Sequence, residues 1–347
     1  MKALKKMAAT SGLKWCTDTP TPEPGLRDVV IAVSFAGVCG TDHHIYEWDQ
    51  WSANRVPLGI TVGHEFVGRI VSLGSAVTRY SIGQRVSGEG HIGCGVCHAC
   101  QTGQGHICQQ VDIIGVDRDG CFAEMICLPE TNVWPVSDLI PDKIAAILDP
   151  IGNAVHTVSA AKVSGRSVLI TGAGVIGLIA VTVAVASGAS SVFVVDVEES
   201  RLEQAVEMGA TRGFQASDPD WPAEIRRLTG GHGPEVFLEM SGAPKALKGG
   251  LSALRNGGTA ALLGLPSRPV EIDLANEIIF KGVTVLGING RQIFETWYRA
   301  EELLVSKRIC LDALTTSIIP FGDFEKAFLP QENSGSTKVL FEMPGIA

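Results

Sequence analysis

The stretch Ser167-Val-Leu-Ile-Thr-Gly172-Ala-Gly174-Val175-Ile176-Gly177-Leu-Ile-Ala leaves this chain few folds to choose from. Its apolar start reads as a buried strand and its end as an apolar helix, joined by glycines at G-x-G-x-x-G spacing. In that context Gly172 permits a tight turn, Gly174 lets a pyrophosphate approach the backbone, and Gly177 lets helix and strand pack closely. The helix N-terminus, where Val175 and Ile176 fall, then stabilises phosphate charge. The following strand, Ser191-Val-Phe-Val-Val-Asp196, ends in an acid 19 residues after Gly177. A carboxylate there bonds ribose hydroxyls and repels a 2′-phosphate, so NAD is expected rather than NADP. Arg201, five residues on, could lie over the adenine or attract a phosphate; the acid carries more weight.

Alternation then continues through a strand at Glu235–Met240, a helix at Pro244–Leu254 and strands at Thr259–Leu263 and Val283–Gly287. This pattern predicts a doubly wound parallel sheet over residues 151–295. Cofactor contacts are expected at its strand C-termini, from Ser241, Leu263, Gly264, Leu286, Gly287 and Ile288. Ser167 to Ala186 is almost wholly apolar, but its glycines and its lack of flanking charges and aromatic anchors argue against a membrane span.

The first part of the chain reads differently. Short β-runs (Asp28–Phe35, Phe66–Val71, Val86–Ser87, Cys121–Leu128, Asn132–Val136) carry no helical period, which predicts a β-rich domain. Two runs at strand ends, Cys39-Gly-Thr-Asp-His-His44 and Gly63-His64-Glu65, offer a thiolate, an imidazole and a carboxylate, a donor set suited to Zn²⁺. Three protein ligands leave a position for substrate, as a catalytic site requires. The plainer alternative is a buried thiol and a core histidine that never meet. Cys94, Cys97, Cys100 and Cys108, spaced 3, 3 and 8 apart among glycines, predict a closed structural zinc site in a lobe at about residues 91–110. An iron–sulfur cluster is the rival, since spacing alone does not select the metal. Further on, a short helix over Asp142–Leu148 is expected to end at Asp149-Pro150, with a second beginning at Gly152. The tail reads as a helix at Phe294–Val305 and a last strand at Lys338–Glu342.

At 347 residues two domains are expected. A net charge of −9 supplies neither the basic footprint of a nucleic-acid binder nor a polybasic membrane patch. Nine cysteines, an odd number with four bunched, suit metal ligation in a reducing compartment. The opening residues lack the apolar core of a signal peptide, so a cytoplasmic protein is expected. Cys16, Cys121, Cys127 and Cys310 read as small buried hydrophobes.

In this order, the Cys39-Gly-Thr-Asp run, Gly63-His-Glu, the four-cysteine lobe and the Gly172 motif resemble the zinc-dependent medium-chain dehydrogenase/reductase family. The resemblance implies a GroES-like catalytic domain, residues 1–150 and 296–347, interrupted by a Rossmann domain at 151–295. It makes Cys39 and His64 constant ligands of a catalytic zinc and Glu65 a third ligand or exchange partner. Asp149 stands where the family places a further carboxylate, often Glu. Thr41 would take the substrate's hydroxyl proton and pass it toward His44, while NAD⁺ accepts hydride. His91 resembles a histidine near the active-site metal. Longer runs (Cys39 to Trp51, Gly88 to His91, Asp149 to His156, Leu238 to Pro244, Phe294 to Tyr298) are similar to members that oxidise L-threonine to 2-amino-3-oxobutyrate. The family likeness also implies a homotetramer. Alternatives are a polyol, sugar-alcohol or diol substrate, or a non-catalytic NAD-binding homologue. A zinc-ribbon nucleic-acid binder conflicts with the acidic balance.

Overall fold

The computed structural model describes residues 1–314, 316–329 and 336–345. The chain divides into two compact units, one of residues 1–149, 292–297 and 315–347, the other of 150–291 and 298–314. Residues 315, 330–335 and 346–347 of the expected C-terminal return lie outside the described residues, and 298–314 group with the second unit. Among the described residues no helix is long and apolar enough to cross a membrane.

The first unit is built on a seven-stranded sheet. In order along it run Val133–Pro135, Arg85–Gly88, Glu65–Leu73, Asp28–Val38, Lys338–Glu342 and Thr316–Pro320, and Met125–Pro129 also pairs with Asp28–Val38. Asp28–Val38 is apolar along most of its length, and Val29, Val30, Ile31, Val33 and Ala36 are buried, together with Phe66, Phe122 and Phe341. Each such aromatic contributes about 1.5–3 kcal/mol by leaving water. The central strand brings distant segments side by side: Gly37 pairs with Glu65 on one edge and with Leu340 on the other.

Two short helices, Gly40–Glu47 and Gln50–Arg55, interrupt what reads from the sequence as an all-β region. At 8 and 6 residues they are too short to show an apolar period, and local caps hold them instead. A second correction concerns Asp149-Pro150. No helix ends there; both residues lie in the first turn of the helix Leu148–Ala161. Proline is tolerated in a first turn because the N–H it lacks has no intrahelical partner there.

The second unit holds a six-stranded, wholly parallel sheet in the order Arg212–Gln215, Ser191–Asp196, Ser167–Thr171, Val236–Glu239, Thr259–Leu262, Thr284–Gly287. The order reverses between Ser167–Thr171 and Val236–Glu239, the switch point at which such sheets bind ligands. The expected doubly wound architecture is therefore present, with the tail strand Lys338–Glu342 also where the sequence placed it.

Candidate functional site

Cys39 leaves the strand Asp28–Val38 and caps the helix Gly40–Glu47 in an extended conformation, its N–H bonded to Asp42 Oδ2 at 2.8 Å. Glu65 opens the neighbouring strand and His64 stands just before it. Gly63 precedes them at φ +92°, and a Cβ there would strike the Phe122 ring, so glycine is required for the chain to turn in. The result is that Cys39, His64 and Glu65 bring donor atoms within 4.8 Å of one another. Asp149 lies outside that group, although its charge acts on His64.

A ring of buried polar groups surrounds these three. Asp42 is 0% exposed, and its Oδ1 stands 3.9 Å from His64 Nδ1; neither atom has a hydrogen-bond partner. Lys338 Nζ donates to Glu65 Oε1 at 2.9 Å and to Val38 O at 2.8 Å, and forms an ion-pair contact of 2.7 Å with Glu65 Oε2. Gly37 makes room for this pair, since a Cβ there would meet both the Glu65 carboxylate and Lys338 Cε. Burial pushes the Asp42 carboxyl up to about 6, against the opposing pull of His64 and the Cys39 N–H. Desolvation lowers His64, but the Cys39 thiol and the Asp42 and Asp149 charges outweigh it and raise the imidazole to about 10. Cys39, Asp42 and Glu65 thus gather acidic donors around a single lysine. A thiol, an imidazole and a carboxylate with an unpartnered buried nitrogen fit a divalent zinc ion.

Thr41 and His44 lie three residues apart on the helix Gly40–Glu47 and so share a face, with Thr41 Oγ1 4.0 Å from Cys39 Sγ. His44 Nδ1 lies 2.7 Å from Asp49 Oδ2. Asp49 also caps the helix Gln50–Arg55 by accepting from Ser52 N at 2.9 Å. Of the nearby aromatics, Tyr46 stacks on Phe328 at 4.3 Å and Trp48 lies under Lys6 at 5.0 Å, so both pack against the unit's own side chains. Trp51 stays partly exposed, edge-on to His44 at 6.3 Å. His91 is held by Glu89, whose Oε1 lies 2.9 Å from His91 N and 3.0 Å from Nδ1, and whose Oε2 accepts from Trp297 Nε1 at 2.8 Å.

In the second candidate centre the sulfurs of Cys94, Cys97, Cys100 and Cys108 also lie within 4.8 Å of one another. Cys97 Sγ and Cys108 Sγ are 3.7 Å apart, the separation of two sulfurs each ~2.3 Å from one tetrahedral zinc. Backbone N–H groups of Cys97, Cys94 and Gln110 point at these sulfurs at 3.3–3.4 Å, as suits thiolate acceptors. The site fits a closed zinc.

In the second unit, Gly172 ends its strand at φ +92° against Ser241, and a Cβ at Gly177 would collide with Gly172 O. Gly174 caps the helix Val175–Ala186 with no side-chain bond, and a Cβ there would meet nothing within 4 Å. That helix N-terminus is open to an approaching anion, which fits a dinucleotide pyrophosphate. Asp196 is 7% exposed; it accepts from Ala173 N at 2.5 Å and from Glu198 N at 3.0 Å, which ties the glycine turn to the next strand. Arg201 lies half-buried on the helix Glu199–Glu207. Ser241, Leu263, Gly264, Leu286, Gly287 and Ile288 all stand at C-terminal strand ends, with Leu263 N and Gly264 N bonded to Glu239 O and Ile288 N to Leu262 O.

Three residues of these sites escaped sequence reasoning: Asp42, Lys338 and Glu239. Asp42 had a signal, as an acid three residues after a helix-capping position. Lys338 had none, lying 273 residues from Glu65. Glu239 looked like the last residue of a strand.

Comparison with known proteins fits this geometry. Residues 175–306 match the zinc-binding dehydrogenase family and residues 25–138 the alcohol dehydrogenase GroES-like domain. The chain belongs to the zinc-binding dehydrogenases. Among curated relatives it is 44% identical over 342 residues, 99% of each chain, to L-threonine 3-dehydrogenase of Proteus mirabilis. Among solved structures it matches an Escherichia coli short chain alcohol dehydrogenase complexed with NADH, at TM-score 0.89 and 26% identity over 99% of both chains. Escherichia coli galactitol-1-phosphate dehydrogenase matches at TM-score 0.89 and 26% identity over 99% of this chain and 100% of that one.

Proposed function

We propose that the chain oxidises the C3 hydroxyl of L-threonine with NAD⁺, giving 2-amino-3-oxobutyrate, NADH and a proton. The buried cluster of Cys39, His64 and Glu65 carries this reading, on a chain 44% identical from end to end to an L-threonine 3-dehydrogenase. Cys39, His64 and Glu65 would hold the catalytic zinc, with Asp149 acting on it through charge, and Cys94, Cys97, Cys100 and Cys108 would hold a structural one. The catalytic zinc supplies Lewis-acid polarisation of the substrate oxygen, and NAD⁺ supplies the hydride acceptor.

The remaining roles belong to the chain itself. Thr41, beside Cys39, is placed to accept the hydroxyl proton, and His44 on the same helical face to relay it outward. Asp49 holds His44 through Nδ1, which leaves Nε2 as the ring atom for receiving a proton. Glu89 orients His91 in the same way. Lys338 offsets the charge of Glu65, so the three donors do not carry excess negative charge into the site. In the second unit, the Gly172–Gly177 turn would bind the pyrophosphate and Asp196 the adenosine ribose, which selects NAD over NADP.

The protein is a homo-oligomer in this reading. The outer strand Thr284–Gly287 is largely exposed, and Phe280 and Ile279 nearby are 77% and 68% exposed, an apolar edge suited to a second copy. Its place is the cytoplasm, where four unbridged cysteines persist as metal ligands.

Turnover tests the reading. With zinc-loaded protein and NAD⁺, NADH formation on L-threonine is expected to exceed that on sorbitol or butane-2,3-diol by at least ~10-fold in kcat/KM. Turnover on the polyol or diol alone would replace the substrate and leave the other roles standing.

A further inference from the structure

The buried carboxylate of Glu239 is used by none of the roles above. It ends the strand Val236–Glu239, is 2% exposed, and reaches three strand ends at once. Oε1 accepts from Ser241 N at 2.9 Å, Ser241 Oγ, Gly242 N at 3.0 Å and, more weakly, Thr171 Oγ1 at 3.4 Å; Oε2 lies 3.1 Å from Gly242 N. Gly264 closes over it, since a Cβ there would strike both Oε2 and Gly242 N. Every one of these partners is a neutral donor. Glu65, the buried acid of the first unit, is by contrast cancelled by Lys338. The charge of Glu239 is satisfied by hydrogen bonds but not neutralised, so its field extends into its surroundings.

Those surroundings are defined by the sheet. The strand order reverses between Ser167–Thr171 and Val236–Glu239, so the strands up to the switch form the adenosine half and those beyond it the nicotinamide half. Glu239 ends the first strand of the nicotinamide half, and the turn it holds, Ser241-Gly242, packs on Gly172. The nicotinamide ring is cationic in NAD⁺ and neutral in NADH. Most of the turn's bonds do not need a charge, because they converge on Oε1 and the amide oxygen of glutamine would accept them; only the Gly242 N–H contact at Oε2 would instead face the amide NH2.

We propose that the negative charge of Glu239 biases the cofactor site toward the oxidised dinucleotide, by stabilising NAD⁺ relative to NADH. This rests on the NAD reading above. Glu239 is a specificity-determining residue for the redox state of the cofactor, acting through its field and not through contact.

The test compares dissociation constants for NAD⁺ and NADH, measured by calorimetry on the zinc-loaded protein, with thermal unfolding as the folding control. Glu239→Gln is expected to weaken NAD⁺ roughly five-fold, the scale of one buried unit charge acting across a half-site, with NADH affinity within about two-fold of the parent. Glu239→Asp keeps the charge while shortening the side chain, so it is expected to weaken both cofactors together and hold their ratio within about two-fold. Equal losses for NAD⁺ and NADH in Glu239→Gln would overturn the proposal, leaving a turn-building role alone. So would a ratio displaced in Glu239→Asp as far as expected for the glutamine variant, and that arm keeps the proposal open to refutation if Glu239→Gln does not fold. A parent protein that binds neither dinucleotide would instead refute the NAD reading.

Discussion

The two candidate zinc centres are made in opposite ways. Cys94, Cys97, Cys100 and Cys108 come from one segment of 15 residues, three of them are only partly buried, and the bonds oriented toward their sulfurs come from the same loop. Cys39, His64 and Glu65 come from two neighbouring strands and are completed by Asp42 and by Lys338 from the far end of the chain. One centre can assemble locally and would cross-link a loop; the other exists only once the sheet has formed. A locally built site contributes mainly to folding, whereas an assembled one can place donors, a hydroxyl and a counter-charge around an open position.

The largest effect should separate them. His64→Ala is expected to lose one of two bound zincs by elemental analysis and to cut kcat on L-threonine by on the order of 10³-fold or more, with the fold retained. Cys100→Ser should also lose one zinc, but its loss should appear first as a lower unfolding temperature, with the folded fraction keeping kcat within about ten-fold. Variants that behaved alike in both measurements would erase the distinction.

Next in size is the counter-charge. Lys338 and Glu65 side chains are 3% and 1% exposed, so Lys338→Met would strand a carboxylate in the interior. Breaking one side of such a pair costs about 3–5 kcal/mol, readable as a lower urea midpoint. The double variant Lys338→Met/Glu65→Gln should recover much of that stability, because the cost lies in the unpaired charge and not in the lost attraction. No recovery would mean that Lys338 holds the end of the strand Asp28–Val38 through Val38 O more than it serves Glu65.

The same contrast explains what could be read from the sequence. The glycine motif, the parallel alternation and the four-cysteine lobe are signals within a few residues of one another, and the sheet and the lobe follow them closely. Cys39 and His64 were visible as ligand types, but their meeting depends on register, with Gly37 opposite Glu65, and no local pattern encodes a partner strand. Lys338 looked like the start of an ordinary tail strand for that reason. The short helices carrying Thr41, His44 and Asp49 were missed because one or two turns show no periodicity; a cap residue was their only mark. Asp149-Pro150 misled in the other direction, because a proline that usually stops a helix also suits its first turn.

The smallest effect asks how far the assembled centre reaches toward solvent. Asp49 is a partly exposed acid that bonds His44 and caps a 6-residue helix. Burial is the largest single influence and opposes its ionisation, but the hydrogen bonds from Ser52 and His44 together with the His44 charge outweigh it and hold its carboxyl below the usual range. A carboxyl with a depressed native pKa contributes stability that is complete above its unfolded value, ~3.9, and is lost as pH falls through the native one. Asp49→Asn should therefore unfold at a slightly lower temperature than the parent near pH 6, with the gap closing as pH falls below the unfolded carboxyl's ~3.9 and through the depressed native value. Asparagine still caps helices well, so the loss should be small. If His44 relays the proton, the same variant should lower kcat several-fold while leaving KM for L-threonine and both zincs in place, because Asp49 orients the imidazole and touches neither metal nor substrate. A variant with reduced stability and unchanged kcat would confine Asp49 to capping, and the assembled centre would then end at His44.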